Sequence, residues 1–562
     1  MKRSVLSIIA IRTYAVEILL FIGIIAAYCV TLSHIQQTEW KDMFFLNADI
    51  LTLPLVMQSL YLHEPFQWVF SSQIFIFPEG PIYLICSLFS SNFKVALIIN
   101  GLVNISLFYL LLRILAKVVT DNTTYRRIFA ALFTLGILLL ISIESRDRDL
   151  NIATYFLMTS VYYGTIIASL LALTSSLSLY KRIVHRHRRS LQLALWCIGF
   201  VTSLLATVSN PLFFIQFTVP FLIVISILYL LKYLPLRVAF IMISPYITSL
   251  IIALLMRSIA LAGFFSSFGS LNQYIHFNEI ILTIKKYRSM VASMYQGGIE
   301  RQIEMTIIFL IVFCAVAVSI YIIIARLRRT NSRFIAPLTP QDSIVILFAT
   351  ISPLITLLVT IVTGNALTRY LLPVVFFTPL VFLPLYHFAR DKRRWIIRYG
   401  AAAIVSFVII AAIISRPFDT MHQLTSYYPA DAACVDKALS KTPHRVGVAQ
   451  YWRARSLQLN SHDGHILLQA SGTMQKFGWL YNNAAYNIYT PSYVIVDKPE
   501  QNHSPDVSND PGSTITKETV ITTIGPPSHL YHCDSFDIYT YDKNTPGNAT
   551  LREILHGQPA QR

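Results

Sequence analysis

A succession of apolar runs, each long enough to cross a bilayer and parted from the next by a short polar segment, constrains this chain more than any other feature. A spanning helix needs about 20 mostly apolar residues. On that scale the sequence predicts eleven spans, at 14–32, 95–115, 128–143, 152–179, 191–208, 212–231, 238–262, 305–325, 343–363, 370–388 and 399–415. Only 13% of residues are charged and 55% are hydrophobic; a soluble domain carries about 25% charge, so the chain reads as an integral membrane protein.

The formal charge of +17 raises the question of nucleic acid, and the placement of the basic residues answers it. They cluster between the apolar runs, at Lys117, Arg126 and Arg127, at Lys181 to Arg189, at Lys232 and Arg237, at Arg326 to Arg333, and at Arg390 to Arg398. Alternate loops hold these clusters, and the loops between them are poor in Lys and Arg except around Lys285, Lys286 and Arg288. That is the positive-inside pattern of membrane topology, and it excludes nucleic acid as a partner. The expectation is a cytoplasmic N-terminus, a first run retained as a helix and not removed as a signal, and an outward-facing C-terminal region. Residues 278–294 alternate apolar and basic side chains at helical spacing. They predict a helix lying on the membrane, with Ile280, Ile281 and Ile284 toward the lipid.

After Ser415 the composition turns polar, with frequent Pro, Asn, Asp and Ser. Short β-rich stretches at 445–451, 465–468, 493–497 and 536–541, with helical potential at 424–441, predict a mixed α/β domain over 416–562, behind a transmembrane domain over 1–415. Residues 501–513 read as a flexible loop. Cys29, Cys86, Cys197 and Cys314 lie in or beside apolar runs and behave as small hydrophobes. Cys434 and Cys533 are the two cysteines of the polar region, and an oxidising compartment outside would let them pair. No closely spaced Cys/His set suggests zinc, and His462 and His465 read as loop histidines.

The candidate chemistry lies in the loop after the first span. It is too long for a turn, carries Asp49 and Glu79 among apolar residues, and includes Trp68 with Pro54, Pro65, Pro78 and Pro81. Long loops of this kind are commonly functional. Each residue also has a plainer role open to it. Asp49 could cap a helix or mark the interface, Glu79 could cap the helix starting near Pro81, and Trp68 could anchor at the interface. The charges from Glu144 to Asp149 could satisfy one another in a solvated loop, and Arg369 beside Tyr370 could be an interfacial anchor. Tyr451, Trp452, Arg453, Arg455, Trp479 and Tyr481 suit sugar or peptide binding, or equally a packed core.

One span, a large loop with an early acid, many further spans and a C-terminal polar domain: this order resembles the GT-C class of membrane glycosyltransferases. Asn47-Ala48-Asp49 matches the acid after the first span. Glu144-Ser-Arg-Asp147-Arg-Asp149 matches the acidic second outer loop. Trp68 with Phe77-Pro78-Glu79-Gly80-Pro81 resembles the aromatic and proline part of the first loop in bacterial members. Thr368-Arg369-Tyr370-Leu-Leu-Pro373 resembles an Arg-Tyr-x-x-Pro signature. The resemblance covers the chain to about Ser415. It implies transfer of a sugar from a polyprenyl-phosphate-linked donor at the outer face of a bacterial inner (plasma) membrane, with membrane lipids as surroundings. Asp49 would be the catalytic base and Arg369 the phosphate holder. Glu79, Trp68, Tyr370, Asp147 and Asp149 would contribute to substrate binding. The second loop would orient substrate or a divalent cation (Mg or Mn). Asp49 stands alone where many members pair acids, which weighs against a metal held there. The rival readings are a non-catalytic scaffold of the same frame and a transporter or lipid flippase. The second would call for intramembrane charge and inverted repeats, whereas Glu17 is the main acid within a span.

Overall fold

The computed structural model describes residues 2–146, 151–186, 188–261, 263, 277–328, 338–384, 403–404, 406–411, 413–498 and 514–556. Among them, eight helices are long and apolar enough to cross a membrane: Ala15–Gln36 (within α1, Lys2–Gln36), α5 (Phe93–Val119), α6 (Thr123–Glu144), α7 (Tyr163–Val184), α8 (Arg189–Ser209), Leu236–Ala260 (α10, Leu236–Leu255, with a π turn), α12 (Ile299–Leu327) and α13 (Pro340–Val362). The chain is therefore a multi-pass helical protein; the described residues hold eight long spans, against eleven expected for the whole chain.

The physical reasons for the difference are local. The run at 212–231 is shortened by Asn210-Pro211 and opens with a π turn, leaving the apolar helix Phe214–Leu230. The run at 370–388 contains Pro373 and Pro379, and its helix, Thr368–Phe382, alternates 3-10 and α turns. Proline supplies no N–H and breaks a continuous ladder. Residues 152–162 stay outside the fourth span as a 3-10 turn and bends. In the run at 399–415, residues 399–402, 405 and 412 lie outside the described residues.

Where helices begin, side chains take up orphan N–H groups. Asn92 accepts from Lys94 N at 3.0 Å to start α5, and Asn122 accepts from Tyr125 N at 3.1 Å to start α6. Thr339 and Asp342 form a reciprocal capping box on α13. The acid within the first span is neutralised locally, since Glu17 pairs with Arg113 of α5 and Arg127 of α6. That arrangement binds the ends of three helices together and leaves no lone intramembrane charge at Glu17. The helix expected at 278–294 is α11 (Ile280–Gln296). Thr283, Tyr287 and Met294 face the protein, while Ile281, Leu282 and Ile284 face away from it.

The C-terminal region forms a five-stranded sheet in the order β3-β2-β5-β7-β6. These strands are β2 (Val446–Ala449), β3 (Ile466–Gln469), β5 (Tyr493–Asp497), β6 (His529–His532) and β7 (Phe536–Thr540). β3, β2 and β5 run parallel; β7 is antiparallel to β5 and to β6. The helix Tyr451–Asn460 makes the crossover that parallel β2 and β3 require. Alternation along β5 fills both faces: Val494 and Val496 enter one core cluster, Tyr493 and Ile495 the other. Gly447 is dictated by this packing, because a Cβ there would sit 2.2 Å from the Tyr493 ring. The four sequence-predicted strands are thus present; β6, largely exposed and with His at each end, lacks the apolar alternation that would have revealed it. Residues 501–513 lie outside the described residues.

This domain is docked on the loop after α1. That loop contains α2 (Trp40–Leu46), α3 (Thr52–Tyr61), β1 (Trp68–Val69) and α4 (Glu79–Ser87). β1 pairs antiparallel with β4 (Tyr481–Asn482), Trp68 opposite Asn482 and Val69 opposite Tyr481. Glu64 accepts from Asn482 Nδ2 at 3.0 Å and from Tyr489 OH at 2.7 Å. The buried Arg455 donates to Ala48 O at 2.6 Å, to Thr52 Oγ1 at 3.1 Å and to Leu480 O. The loop is also fastened to the spans: Ile74 N and Phe77 N donate to Ser209 at the end of α8, and Arg257 donates to Ser72 O at 2.8 Å.

Candidate active site

A cavity of about 480 Å³ lies in the seam between the helical frame and the C-terminal domain. Its walls come from four distant segments. The loop supplies Asp49, Gln73 and Phe75, the turn before α7 supplies Ser160 and Tyr162, and the segment after α13 supplies Arg369 and Tyr370. The C-terminal domain closes it with Tyr451, Trp452, Phe477 and Trp479.

Asp49 sits in the turn between α2 and α3. Asn47 Oδ1 accepts from its N–H at 3.0 Å, and its own carbonyl accepts from Thr52 Oγ1 at 2.7 Å and Ser160 Oγ at 2.6 Å. With the main chain tied on both sides, the carboxylate is held at the cavity. Oδ1 accepts a hydrogen bond from Tyr451 OH at 2.7 Å, and Oδ2 lies 3.7 Å from Arg369 Nη1. Both side chains of that ion pair are about one-third exposed, so solvent screens the pair and its value is in charge placement more than stability. Tyr451 is in turn held by Arg455 Nη1 at 2.9 Å.

Arg369 lies in the 3-10 turn Thr368–Leu371. Its guanidinium stands 5.6 Å over the Tyr162 ring, and its Nε has no hydrogen-bond partner among the described residues. That Nε is buried, but the side chain as a whole is about one-third exposed in the cavity wall, where a planar donor fork suits phosphate oxygens. Tyr162 OH donates to Tyr370 OH at 3.3 Å, and the two rings are 5.2 Å apart. Tyr162 is left-handed at φ 61° and Phe75 at φ 53°. For bulky residues that conformation costs roughly 1–3 kcal/mol each, and such strain gathers at functional sites. Here it turns two aromatic residues into one cavity.

The other sequence candidates fall elsewhere. Trp68 is 2% exposed, stacks on Phe70 at 5.9 Å and does not line this cavity. Its strand pairing with β4 explains its burial. Trp479, 37% exposed in the cavity wall, offers the face that Trp68 does not. Glu79 is 1% exposed at the first turn of α4 and is packed against Gly164, where a Cβ would lie 2.2 Å from its Oε1. It does not line the cavity, and burial pushes its carboxyl up to about 8 despite the Gly164 N–H it accepts from. Glu144 is buried and accepts from Ile152 N at 3.0 Å, Thr154 N at 2.8 Å and Thr154 Oγ1 at 2.9 Å. It caps the 3-10 turn Ala153–Leu157 and is not a solvated loop charge. Arg146 pairs with Glu300. Asp147 and Asp149 lie outside the described residues.

Of the aromatic and basic set in the C-terminal domain, Tyr451, Trp452 and Trp479 reach the cavity. Arg453 instead bonds Asp431, Asp497 and Ser535 within its own domain. Gln73, Ser160 and Tyr162 had no sequence signal, because each is a common residue type whose position depends on contacts with remote segments. No protein-family model matches the chain, and a search of curated proteins finds no similar sequence.

Proposed function

We propose that the chain is a membrane glycosyltransferase of GT-C type, moving a sugar from a polyprenyl-phosphate-linked donor to an acceptor hydroxyl. One observation carries this reading: Asp49, Arg369 and the exposed face of Trp479, drawn from segments remote in sequence, meet in one cavity large enough for a sugar. The acceptor hydroxyl attacks the anomeric carbon and its proton passes to Asp49, with Tyr451 steering the carboxylate. The bond from the anomeric carbon to the phosphate oxygen breaks, and the departing polyprenyl phosphate keeps that electron pair. Arg369 balances the charge gathering on the phosphate, as preorganised donors do. Trp479 and Trp452 offer the apolar faces on which a sugar ring packs. In this reading the cavity faces the outer side of a bacterial inner membrane and the N-terminus is cytoplasmic.

The test uses membranes containing the full chain and labelled polyprenyl-phosphate hexoses, with release of polyprenyl phosphate and transfer of label as readouts. Asp49→Asn should reduce transfer by roughly 10²–10⁴-fold, the usual contribution of one general base. Arg369→Ala should be more damaging than Arg369→Lys, which keeps the charge but loses the fork. Near-full transfer by Asp49→Asn would remove Asp49 from the chemistry.

A further inference from the structure

Away from the cavity, the C-terminal domain draws together two carboxylates and an imidazole. Asp436 is on the helix Ala430–Leu439, and Asp463 and His465 are on the turn entering β3. One ligating atom from each lies within 4.8 Å of the others.

His465 makes this more than a meeting of acids. Its side chain is 0% exposed, yet neither Nδ1 nor Nε2 makes a hydrogen bond of normal length among the described residues, the Arg445 main chain giving only a loose contact. Leaving a buried polar group unmatched costs about 1–3 kcal/mol. Nε2 faces Asp436 Oδ1 at 3.6 Å, too far for a hydrogen bond. It is close to the separation two donors take across a shared ion: ligands about 2.1 Å from zinc at a tetrahedral angle stand about 3.4 Å apart.

Asp436 is already oriented as a ligand would be. Its Oδ1 accepts from Ser461 Oγ at 2.6 Å, and its Oδ2 from Tyr428 OH at 2.6 Å and His462 N at 2.7 Å. A carboxylate has about four lone-pair sites. Three are engaged, and the fourth belongs to Oδ1, the oxygen nearest His465. Outer hydrogen bonds of this kind fix first-shell ligands. Asp463 stands on the open side, 36% exposed, and pairs with Arg445 at 3.5 Å. That contact is exposed and weak, so the carboxylate can turn inward. An imidazole with two carboxylates suits zinc and its neighbours, whereas magnesium and calcium favour oxygen-only shells.

We infer that Asp436, Asp463 and His465 form a three-ligand site for a divalent cation of the zinc class, tying the helix Ala430–Leu439 to the start of β3. The site shares no residue with the cavity, and its failure would leave the transferase proposal untouched. His465 is a loop residue, as the sequence suggests, but its side chain is fully buried.

The test uses the full-length protein in detergent, loaded with Zn²⁺, dialysed against metal-free buffer, and analysed for metal by atomic emission and for affinity by calorimetry. One equivalent of zinc per chain should be retained. His465→Gln should abolish it. Asp463→Asn, at an exposed position that does not threaten folding, should weaken binding by at least the roughly tenfold that loss of even an outer-shell partner costs. His462→Gln should bind as the parent does, because that ring stacks on Tyr428 at 4.0 Å and supplies no ligand. Cobalt(II) loaded in place of zinc should give a visible spectrum of mixed nitrogen and oxygen ligation that Asp463→Asn alters. Failure of the parent to retain zinc, or equal uptake by the parent and Asp463→Asn, would overturn the inference.

Discussion

Glu79 illustrates how burial, not sequence neighbourhood, sets the behaviour of an acid. Its carboxyl is enclosed beside Gly164, and desolvation lifts it from its ordinary value to about 8. In the unfolded chain it ionises near the ordinary glutamate value of about 4.5. Between those two values the unfolded state sheds the proton and the folded state keeps it. The folded state therefore loses stability as pH rises through that window, and the full loss is present above it. Glu79→Gln keeps the shape and cannot ionise. Thermal unfolding in detergent from pH 5 to 8 should show the parent falling relative to the variant, with little difference at pH 4. A parallel pH dependence in both would mean that Glu79 is solvated. The contrast with Asp49 is one of surroundings: Asp49 has a cation and a tyrosine hydroxyl at a cavity, while Glu79 has backbone N–H groups and, among the described residues, no counter-ion. Trp68 and Trp479 divide in the same way, one consumed by strand pairing and one left with a free face.

At the level of elements, the helix Ala430–Leu439 and the β6–β7 hairpin are joined by the Cys434–Cys533 disulfide, whose Cα atoms are 6.0 Å apart. That separation is within the range a disulfide spans without moving the backbone. The bond closes a loop of 99 residues, which restricts the unfolded domain by about 4–5 kcal/mol in the chain-entropy model. Denatured, unreduced protein should show four reactive thiols, those of Cys29, Cys86, Cys197 and Cys314, and six after reduction. Replacing both paired cysteines by Ser should lower the unfolding temperature of the C-terminal domain, and an unchanged temperature would mean that the domain does not depend on the staple. The four-residue β2 and β3 have few ladder bonds of their own, so the crossover helix Tyr451–Asn460 does much of the holding. It packs Ala454 and Leu457 under the sheet and sends Tyr451 and Arg455 into the seam. One helix thus serves the domain core with one face and the cavity with another.

For the whole molecule, sidedness is the prediction that follows from charge. In the proposed orientation the basic clusters are cytoplasmic and the C-terminal domain lies outside, so a reporter fused after Arg562 should be active only outside the cytoplasm and one near His187 only inside. Activity of the C-terminal fusion in the cytoplasm would reverse the cavity's orientation. Class, many helix positions and four of the five main-sheet strands were legible in the sequence, because apolar run length and period-2 alternation are local consequences of burial in lipid or in a sheet. The pairing of Cys434 with Cys533 was legible too, since the polar region has just two cysteines. The span count was less so, because prolines such as Pro373 shorten helices that hydropathy alone extends. What only the tertiary structure decided is who meets whom. Asp49 and Tyr451 touch across 402 residues, and Trp68 is buried by a strand more than 400 positions away. Asp436 meets His465 through a turn that reads as polar loop. Each of these contacts depends on how two remote surfaces close against each other, and neither partner's local sequence records that closure.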